Sequence, residues 1–158
     1  MRTPYFLVDE QALIKNLEIL KSVIDETGCK ILLAQKAFSM FYTYPLLRRY
    51  LTGTTASGLY EARLGHEMFG GETHVYSPAY RADEFDELLL YADDIIINSP
   101  AQIKKFGAKA KAAGKSIGLR INPLCSTQEG HDIYNPCAPG SRLGTTPDNF
   151  DEGLLPML

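Results

Sequence analysis

Lys36 follows an apolar run, a position in which a lysine amine can have a chemical role. The run spans residues 31–34, and Ala37 and Phe38 come directly after the lysine. A lysine at the end of a buried strand either extends its ammonium group to solvent or lies in a desolvated site. In a desolvated site its amine can act as a nucleophile or as a Schiff-base partner. The segment alone leaves both interpretations open, and the solvent-directed one is the ordinary role of such a lysine.

The elements that position Lys36 are predicted to alternate between strands and helices. Apolar runs predict strands at 6–8, 30–35, 51–56, 73–76, 94–98 and 116–121. Helical periodicity and end signals predict helices at 10–27, 40–50, 59–69, 82–91 and 100–113, the first capped by Asp9 and the last opened by Ser99 and Pro100. After the entry strand, five strand-and-helix steps recur at about twenty residues, which indicates right-handed crossovers and a parallel sheet.

Two α/β architectures fit this alternation, an open doubly wound sheet and an eight-stranded barrel. The doubly wound sheet usually carries a glycine-rich loop after its first strand, whereas residues 35–38 read Gln-Lys-Ala-Phe. We therefore expect the N-terminal part of a (β/α)8 TIM-type barrel, with about five of its eight strands in one partial domain over 1–158. From residue 122 onward the sequence predicts a long loop rich in proline and glycine, followed by a weak acidic helix.

The ends of the predicted strands carry the candidate site, because the carboxyl ends of barrel strands meet at one face. The residues at these ends are Lys36, Phe38, Ser57, Gly58, Tyr76, Ser77, Asn98, Ser99, Arg120 and Asn122. A single lysine among hydroxyls, amides and an arginine suits an anionic aldehyde cofactor better than a hydrolytic or metal centre.

Composition narrows the classes of partner. A net charge of −3 with scattered basic residues argues against nucleic acid, and no apolar run is long enough for a membrane helix. The first residues lack the pattern of a signal peptide, so we expect a cytoplasmic protein. Cys29, Cys125 and Cys137 have no paired spacing, which favours reduced thiols over a disulfide framework or a zinc site.

Several segments resemble the pyridoxal-phosphate enzymes with an alanine-racemase-like (fold type III) barrel, a family that includes ornithine and diaminopimelate decarboxylases. Residues 3–9, 33–38 and 56–61 resemble the family's entry strand, its cofactor lysine and the end of its second barrel strand. The segments 120–123 and 134–144 resemble more specifically the carboxynorspermidine (carboxyspermidine) decarboxylases of bacterial polyamine synthesis. The resemblance covers about the first 150 residues and becomes most specific in the last of these segments.

The resemblance implies a lyase that decarboxylates carboxynorspermidine or carboxyspermidine to norspermidine or spermidine. Lys36 would bind pyridoxal 5'-phosphate covalently, and Gln35 beside it replaces an apolar residue that many relatives carry. Arg142 matches a position where racemase relatives place an arginine against the cofactor's phenolic oxygen. Pairing of Arg142 with Asp132 or Asp148 is the alternative.

Two further cofactor-site residues follow from the resemblance. Arg120 would lie beneath the cofactor ring, with a structural ion pair as its alternative role. Ser57 would contact the cofactor, although a serine at this position is commonly the N-cap of the following helix.

The three histidines are weaker candidates. His66 is expected on a helix surface or in packing, and His74 at the end of the sheet opposite the site. His131, in the proline-rich loop, could approach a substrate, but we do not assign it to the site. The relatives' ring-stacking histidine belongs to a later strand.

The relatives continue beyond this chain, which changes what we expect of it in isolation. In them three more strands, a glycine-rich phosphate loop and a β-domain complete a homodimeric enzyme. We therefore expect an N-terminal portion that lacks the C-terminal β-domain and has little turnover alone. The alternatives are another basic amino acid decarboxylase of this fold, such as one for diaminopimelate, and a non-catalytic pyridoxal-phosphate binder.

Overall fold

The computed structural model describes residues 2–127, 130 and 132–158 and is built on a five-stranded parallel sheet. Its strands are β1 (Leu32–Ala34), β2 (Gly53–Ala56), β3 (Glu72–Tyr76), β4 (Asp94–Ile97) and β5 (Ser116–Leu119). Neighbouring strands follow the chain order β1-β2-β3-β4-β5, and every pair is parallel. The predicted parallel α/β fold is confirmed, with strands a few residues shorter than expected.

Helical segments connect the strands. They are α1 (Glu10–Thr27), α2 (Tyr44–Leu47), α3 (Leu59–Leu64), α4 (Phe85–Tyr91), α5 (Pro100–Gln102) and α6 (Ala108–Ala112). A π-helical turn at Gly65–Phe69 extends α3, and another at Ile103–Gly107 joins α5 to α6. Short 3-10 helices lie at Phe41–Thr43, Asp132–Tyr134, Pro147–Asn149 and Glu152–Met157.

The observed helix ends agree with the prediction where a local side chain or a glycine sets the end. The Asp9 carboxylate accepts a hydrogen bond from the Ala12 backbone N–H at 3.0 Å, and Gly28 ends α1 in the left-handed region at φ 70°. The Ser99 hydroxyl caps α5 by accepting from the Gln102 backbone N–H. Gly70 and Gly114 also have positive φ and end their helical segments as predicted.

Two predicted elements are wrong. Residues 6–8 form no strand, and the side chains of Phe6 and Leu7 are 97% and 75% exposed. These residues have no strand beside them in the described chain, and an isolated extended segment has no partner for its backbone groups. The helix expected at 40–50 is reduced to one 3-10 turn followed by α2, which has Pro45 in its first turn.

The strand order favours one of the two predicted architectures. A doubly wound sheet reverses its strand order at a switch point, whereas this sheet runs in one direction from β1 to β5. Right-handed crossovers that all step the same way place their helices on one face of the sheet. This order is the one that adjacent strands have in a (β/α)8 barrel.

The core lies between the sheet and these helices, in two clusters. The larger cluster joins the inward residues of β2, β3 and β4 to α3, α4 and the α5–α6 segment, with Phe85 stacked on Phe106 at a centroid distance of 4.3 Å. The smaller cluster contains Leu17, Tyr44, Leu47, Leu51 and Phe69. Within the described residues, no helix has the length and apolar character needed to span a bilayer.

Candidate active site

Lys36 lies in a tight turn directly after β1. The Ala37 and Phe38 backbone N–H groups donate to the Ala34 carbonyl at 3.0 and 3.1 Å, which closes the turn. The Lys36 side chain is exposed, so among the described residues it has the solvent-directed setting of the two that the sequence left open. Among the described residues its ammonium group has no hydrogen-bond or ion-pair partner.

Gln35 anchors the turn that carries Lys36. The Gln35 side chain is 1% exposed, and its amide nitrogen donates to the Glu61 carbonyl of α3 at 2.8 Å. The polar Gln35 is thus a structural anchor of the turn.

Ser57 follows β2 at the position that corresponds to Lys36 after β1. Ala34 pairs with Thr55, and Lys36 and Ser57 each come two residues later. Neighbouring strands are about 4.8 Å apart, so these two strand ends are adjacent. The alternative N-cap role of Ser57 is wrong, because Gly58 occupies the cap position and no side chain caps α3. Instead the Glu61 carboxylate accepts from the Ser57 backbone N–H at 2.7 Å.

Arg120 stacks on Tyr76 at the ends of β5 and β3. The central guanidinium carbon of Arg120 lies 4.7 Å from the centroid of the Tyr76 ring, a cation–π geometry. No carboxylate pairs with Arg120 among the described residues, so its alternative role in a structural ion pair is not observed. The stack leaves the charge of the guanidinium available to an anionic ligand.

Arg142 lies in the long loop that follows β5. Its backbone carbonyl accepts a hydrogen bond from the Asn98 side-chain amide at 3.0 Å, whereas its own side chain is exposed. That side chain lines an open groove formed by residues 133–136 and 138–143. Asp148 forms no ion pair with Arg142 in the described part of the chain, and the side chain of Asp132 lies outside it.

The Arg142 segment returns to the edge of the sheet beside β5. Thr145 forms a parallel bridge with Ile121: the Thr145 N–H donates to the Arg120 carbonyl and the Asn122 N–H to the Thr145 carbonyl, both at 2.8 Å. Gly144 has φ 84°, and a Cβ there would approach the Asn122 backbone nitrogen to 2.9 Å. Glycine is therefore required where the loop meets the sheet.

His74 belongs to a charged cluster at the opposite end of the strands, as the sequence predicts. Its Nε2 atom lies 2.9 Å from Glu72 and 3.2 Å from Asp94, and Lys30 forms an ion pair with Glu72 at 2.6 Å. Hydrogen bonds from Lys30 and then His74 hold the pKa of the Glu72 carboxyl below its usual value. Such a triad can bind a metal ion, but Lys30 already neutralises Glu72, and we interpret the cluster as ion pairing.

The other two histidines do not join the candidate site. His66 is exposed on the π-helical extension of α3 and packs beside the Tyr91 ring at a centroid distance of 5.6 Å, as expected of a packing residue. His131 lies outside the described residues.

The structure thus brings most of the predicted site residues to one edge of the sheet. Tyr76 is the last residue of β3, and Lys36, Ser57, Asn98 and Arg120 follow the carboxyl ends of their strands; Asn98 connects this edge to the Arg142 loop. The amine of Lys36, the hydroxyl groups of Ser57 and Tyr76 and the guanidinium of Arg120 form a donor set that suits a ligand with an aldehyde and anionic oxygens, and Arg142 lies in the loop attached to this edge. The donor set therefore fits pyridoxal phosphate.

Sequence reasoning missed the partners that hold this edge together. Tyr76 and Asn98 stand at predicted strand ends, but their mutual hydrogen bond spans 22 residues and has no local signal. The same holds for the bond from Asn98 to the loop, 44 residues away. The strand register alone could have suggested that Tyr76 and Asn98 are neighbours.

Comparisons with known proteins agree with the resemblance noted in the sequence. No family model matches the chain. A carboxynorspermidine/carboxyspermidine decarboxylase of Herminiimonas arsenicoxydans is 44% identical over 142 residues, 90% of this chain and 38% of that protein. A carboxyaminopropylagmatine decarboxylase of Synechocystis is 41% identical over 90% of this chain and 36% of its own length. A further carboxynorspermidine/carboxyspermidine decarboxylase, from Campylobacter jejuni, is 39% identical over 96% of this chain.

A solved structure agrees with these relatives. The crystal structure of carboxynorspermidine decarboxylase from Campylobacter jejuni, complexed with norspermidine, matches with a TM-score of 0.84 at 36% identity. The match covers 96% of this chain and 38% of the solved one. The chain spans less than two fifths of the length of the curated relatives it matches. Over nearly all of its residues, then, it is similar in sequence and fold to part of the carboxynorspermidine/carboxyspermidine decarboxylases.

Proposed function

We propose that this chain forms the lysine-bearing part of a pyridoxal-phosphate-dependent decarboxylase of carboxynorspermidine or carboxyspermidine. The observation that carries the proposal is the position of Lys36 at the edge of the sheet where Ser57, Tyr76 and Arg120 also lie. The similarity to named decarboxylases over at least 90% of the chain supports the same reaction. The products would be norspermidine or spermidine.

Four residues of this chain would hold the cofactor. Lys36 would provide the amine for covalent attachment, Arg142 a cation for the phenolic oxygen, Arg120 a cation beneath the ring, and Ser57 a hydroxyl donor. When bound, pyridoxal phosphate supplies an electron sink for the electron pair that carbon dioxide leaves behind. Stacking on Tyr76 would orient the Arg120 guanidinium before the cofactor binds.

The whole protein is proposed to be a cytoplasmic homodimer with a complete (β/α)8 barrel. The sequential order of the five parallel strands supports the barrel, since its three further strands would continue in the same direction. Exposed free thiols at Cys29 and Cys125 are compatible with a reducing compartment. In this proposal residues 1–158 are one partial barrel domain, and a separate β-domain completes the enzyme.

Decarboxylation of carboxyaminopropylagmatine is a second candidate function. The Synechocystis relative named for it is 41% identical over the same share of this chain as the Herminiimonas enzyme. Both kinds of substrate carry an amino acid group at the end of a cationic chain, so covalent binding of the cofactor by Lys36 would serve either decarboxylation.

Reductive trapping tests the cofactor assignment. The chain is incubated with pyridoxal phosphate, reduced with borohydride and digested, and the peptides are identified by mass spectrometry. The expected result is a pyridoxyl group on Lys36 that Lys36→Ala removes. Lys30→Ala is a matched control, because Lys30 lies before the same strand and pairs with Glu72 at the opposite end of the sheet. Equal labelling of many surface lysines would contradict the assignment.

A substrate panel tests the reaction in the full-length gene product. Carbon dioxide release is measured with carboxynorspermidine, carboxyspermidine, carboxyaminopropylagmatine and diaminopimelate. The proposal predicts the highest kcat/KM for one of the first two substrates. Preference for carboxyaminopropylagmatine would select the second candidate function, and preference for diaminopimelate would overturn both. Cofactor binding without release from any of the four would indicate a non-catalytic binder.

A further inference from the structure

The Asn98 side chain makes three hydrogen bonds at the candidate site. Asn98 follows β4 and is 7% exposed. Its side-chain oxygen accepts hydrogen bonds from the Tyr76 hydroxyl and the Gly144 backbone N–H, both at 2.7 Å. Its side-chain nitrogen donates to the Arg142 carbonyl at 3.0 Å. One buried amide therefore joins the end of β3 to the loop that carries Arg142.

The backbone of Asn98 is held in the same network. Its N–H donates to the Gln102 side-chain oxygen at 2.9 Å, and its carbonyl accepts from the Thr145 hydroxyl at 3.1 Å. Both the backbone and the side chain of Asn98 are thus held by hydrogen bonds. A side chain with this many partners has little freedom to choose another rotamer.

On one side, Asn98 sets the position of Arg120 through Tyr76. The hydroxyl of Tyr76 is anchored on Asn98, while the face of its ring carries the Arg120 guanidinium at 4.7 Å. Fixing the hydroxyl fixes one end of the ring, and the ring in turn restricts the guanidinium that stacks on it. Arg120 itself makes no direct side-chain contact with Asn98 among the hydrogen bonds of the described residues.

On the other side, Asn98 sets the position of the segment 142–145. The hydrogen bonds of its side-chain amide lie on either side of Leu143. The amide nitrogen donates to the Arg142 carbonyl, and the amide oxygen accepts from the Gly144 N–H. This two-point contact fixes the backbone orientation at the residue whose guanidinium the proposed function assigns to the cofactor.

We propose that Asn98 is the positioning residue of this site, setting Arg120 and Arg142 together relative to the ligand attached at Lys36. The inference rests on the proposed function, since it concerns how the two guanidinium groups meet a pyridoxal phosphate ligand. Asn98 acts through Tyr76 and the loop backbone rather than by touching the ligand. Its substitution disturbs both cations at once.

The test compares Asn98→Ala with Asn149→Ala in the full-length gene product. Asn149 is the control, because it is an exposed asparagine outside the candidate site whose side-chain amide donates to the nearby Thr146 hydroxyl at 2.8 Å. The readouts are the dissociation constant of pyridoxal phosphate, the absorbance of the bound cofactor as a function of pH, and amide hydrogen exchange at 142–145. Exchange is measured without cofactor and is independent of its binding.

For Asn98→Ala we expect faster exchange at 142–145, about tenfold weaker cofactor binding and an upward shift of about one pH unit in the absorbance midpoint. The shift follows because a displaced guanidinium no longer favours the anionic form of the phenolic oxygen. Asn149→Ala should leave the affinity and the midpoint near the wild-type values. Tyr76→Phe removes one of the three side-chain bonds and should give a smaller change in the same direction, which keeps the test informative if Asn98→Ala folds poorly.

One outcome would contradict only this inference, and another would contradict the proposed function as well. If Asn98→Ala or Tyr76→Phe accelerates exchange but leaves the cofactor affinity and the pH midpoint like those of Asn149→Ala, Asn98 is only structural and this inference is wrong. The proposed function would then stand. If the wild-type protein attaches no cofactor at Lys36, the proposed function fails, and the assignment of Asn98 fails with it.

Discussion

The Tyr44 hydroxyl donates a hydrogen bond to the side-chain oxygen of Gln35 at 3.1 Å, immediately before Lys36 in the chain. Tyr44 is fully buried, and Gln35 also donates its amide to the Glu61 carbonyl. Burial raises the pKa of the Tyr44 hydroxyl, with a further contribution from the Glu61 charge, so the group stays protonated and can donate. The turn that presents Lys36 is therefore anchored beneath the sheet by a neutral polar pair.

Tyr44→Phe is expected to destabilise the protein by about 1 to 3 kcal/mol, because it leaves the buried Gln35 oxygen without its donor. Urea denaturation gives the free energy of unfolding. Tyr60→Phe is the control, since Tyr60 is 80% exposed and loses no buried partner. Equal stability of the two variants would show that the Gln35 oxygen does not need Tyr44.

Gly53→Ala tests how closely β2 approaches β3. A Cβ at Gly53 would lie 2.0 Å from the Glu72 carbonyl oxygen, a backbone atom that cannot move without shifting a strand. We expect a loss of about 2 to 3 kcal/mol, measured by chemical denaturation. Gly58→Ala is the comparison, because no atom lies within 4 Å of a Cβ there. A Gly53→Ala protein as stable as Gly58→Ala would contradict the close approach.

The charged cluster at the opposite end of the strands predicts a pH dependence of stability. The pKa of Glu72 is lowered in the folded state by Lys30 and His74, so folding favours its ionised form. This stabilisation is present above the unfolded-state value of 4.5 and is lost as the pH falls through the lower folded value.

Glu72→Gln should therefore lower the unfolding free energy at neutral pH and make it decline less on acidification than in the wild type. The measurement is a series of denaturation curves between about pH 3 and pH 7. Glu18→Gln, on the exposed surface of α1, is the control. Parallel stability curves for wild type and Glu72→Gln would rule out this coupling.

Arg120→Lys tests the stacked guanidinium. A lysine keeps the charge but loses the planar group that lies on the Tyr76 ring, and the two residues are not equivalent at stacked sites. We expect pyridoxal phosphate to bind about tenfold more weakly to the full-length gene product, as measured by absorbance titration. Arg63→Lys, in an exposed pair with Glu67, should bind the cofactor normally. Unchanged affinity in Arg120→Lys would remove Arg120 from the cofactor site.

The parts of the fold that the sequence predicted correctly are those with local causes. The Asp9 cap and the glycine ends at Gly28 and Gly70 depend on contacts within a few residues, so the pattern of residues suffices. The strand at 6–8 was predicted on its apolar pattern alone, but a strand also needs a neighbour.

The candidate site was predictable only in part for the same reason. The place of Lys36, Ser57 and Arg120 at strand ends follows from the alternation of strands and helices. The Tyr76–Asn98 bond instead depends on register, and the bond to the Arg142 carbonyl depends on the path of a loop. Neither hydrogen bond can be predicted from the spacing of residues alone.

The bridge between Ile121 and Thr145 closes the loop between them at its base. Hydrogen bonds at its two ends clamp residues 122 and 145 together, so the excursion between them behaves as a closed insertion. Doubling the length of such an insertion costs only about 0.6 kcal/mol in closure entropy. Under the proposed function, a change in the length of this loop would therefore alter the Arg142 side of the site at little cost to the fold, while Lys36 lies after β1, at the other end of the strand order.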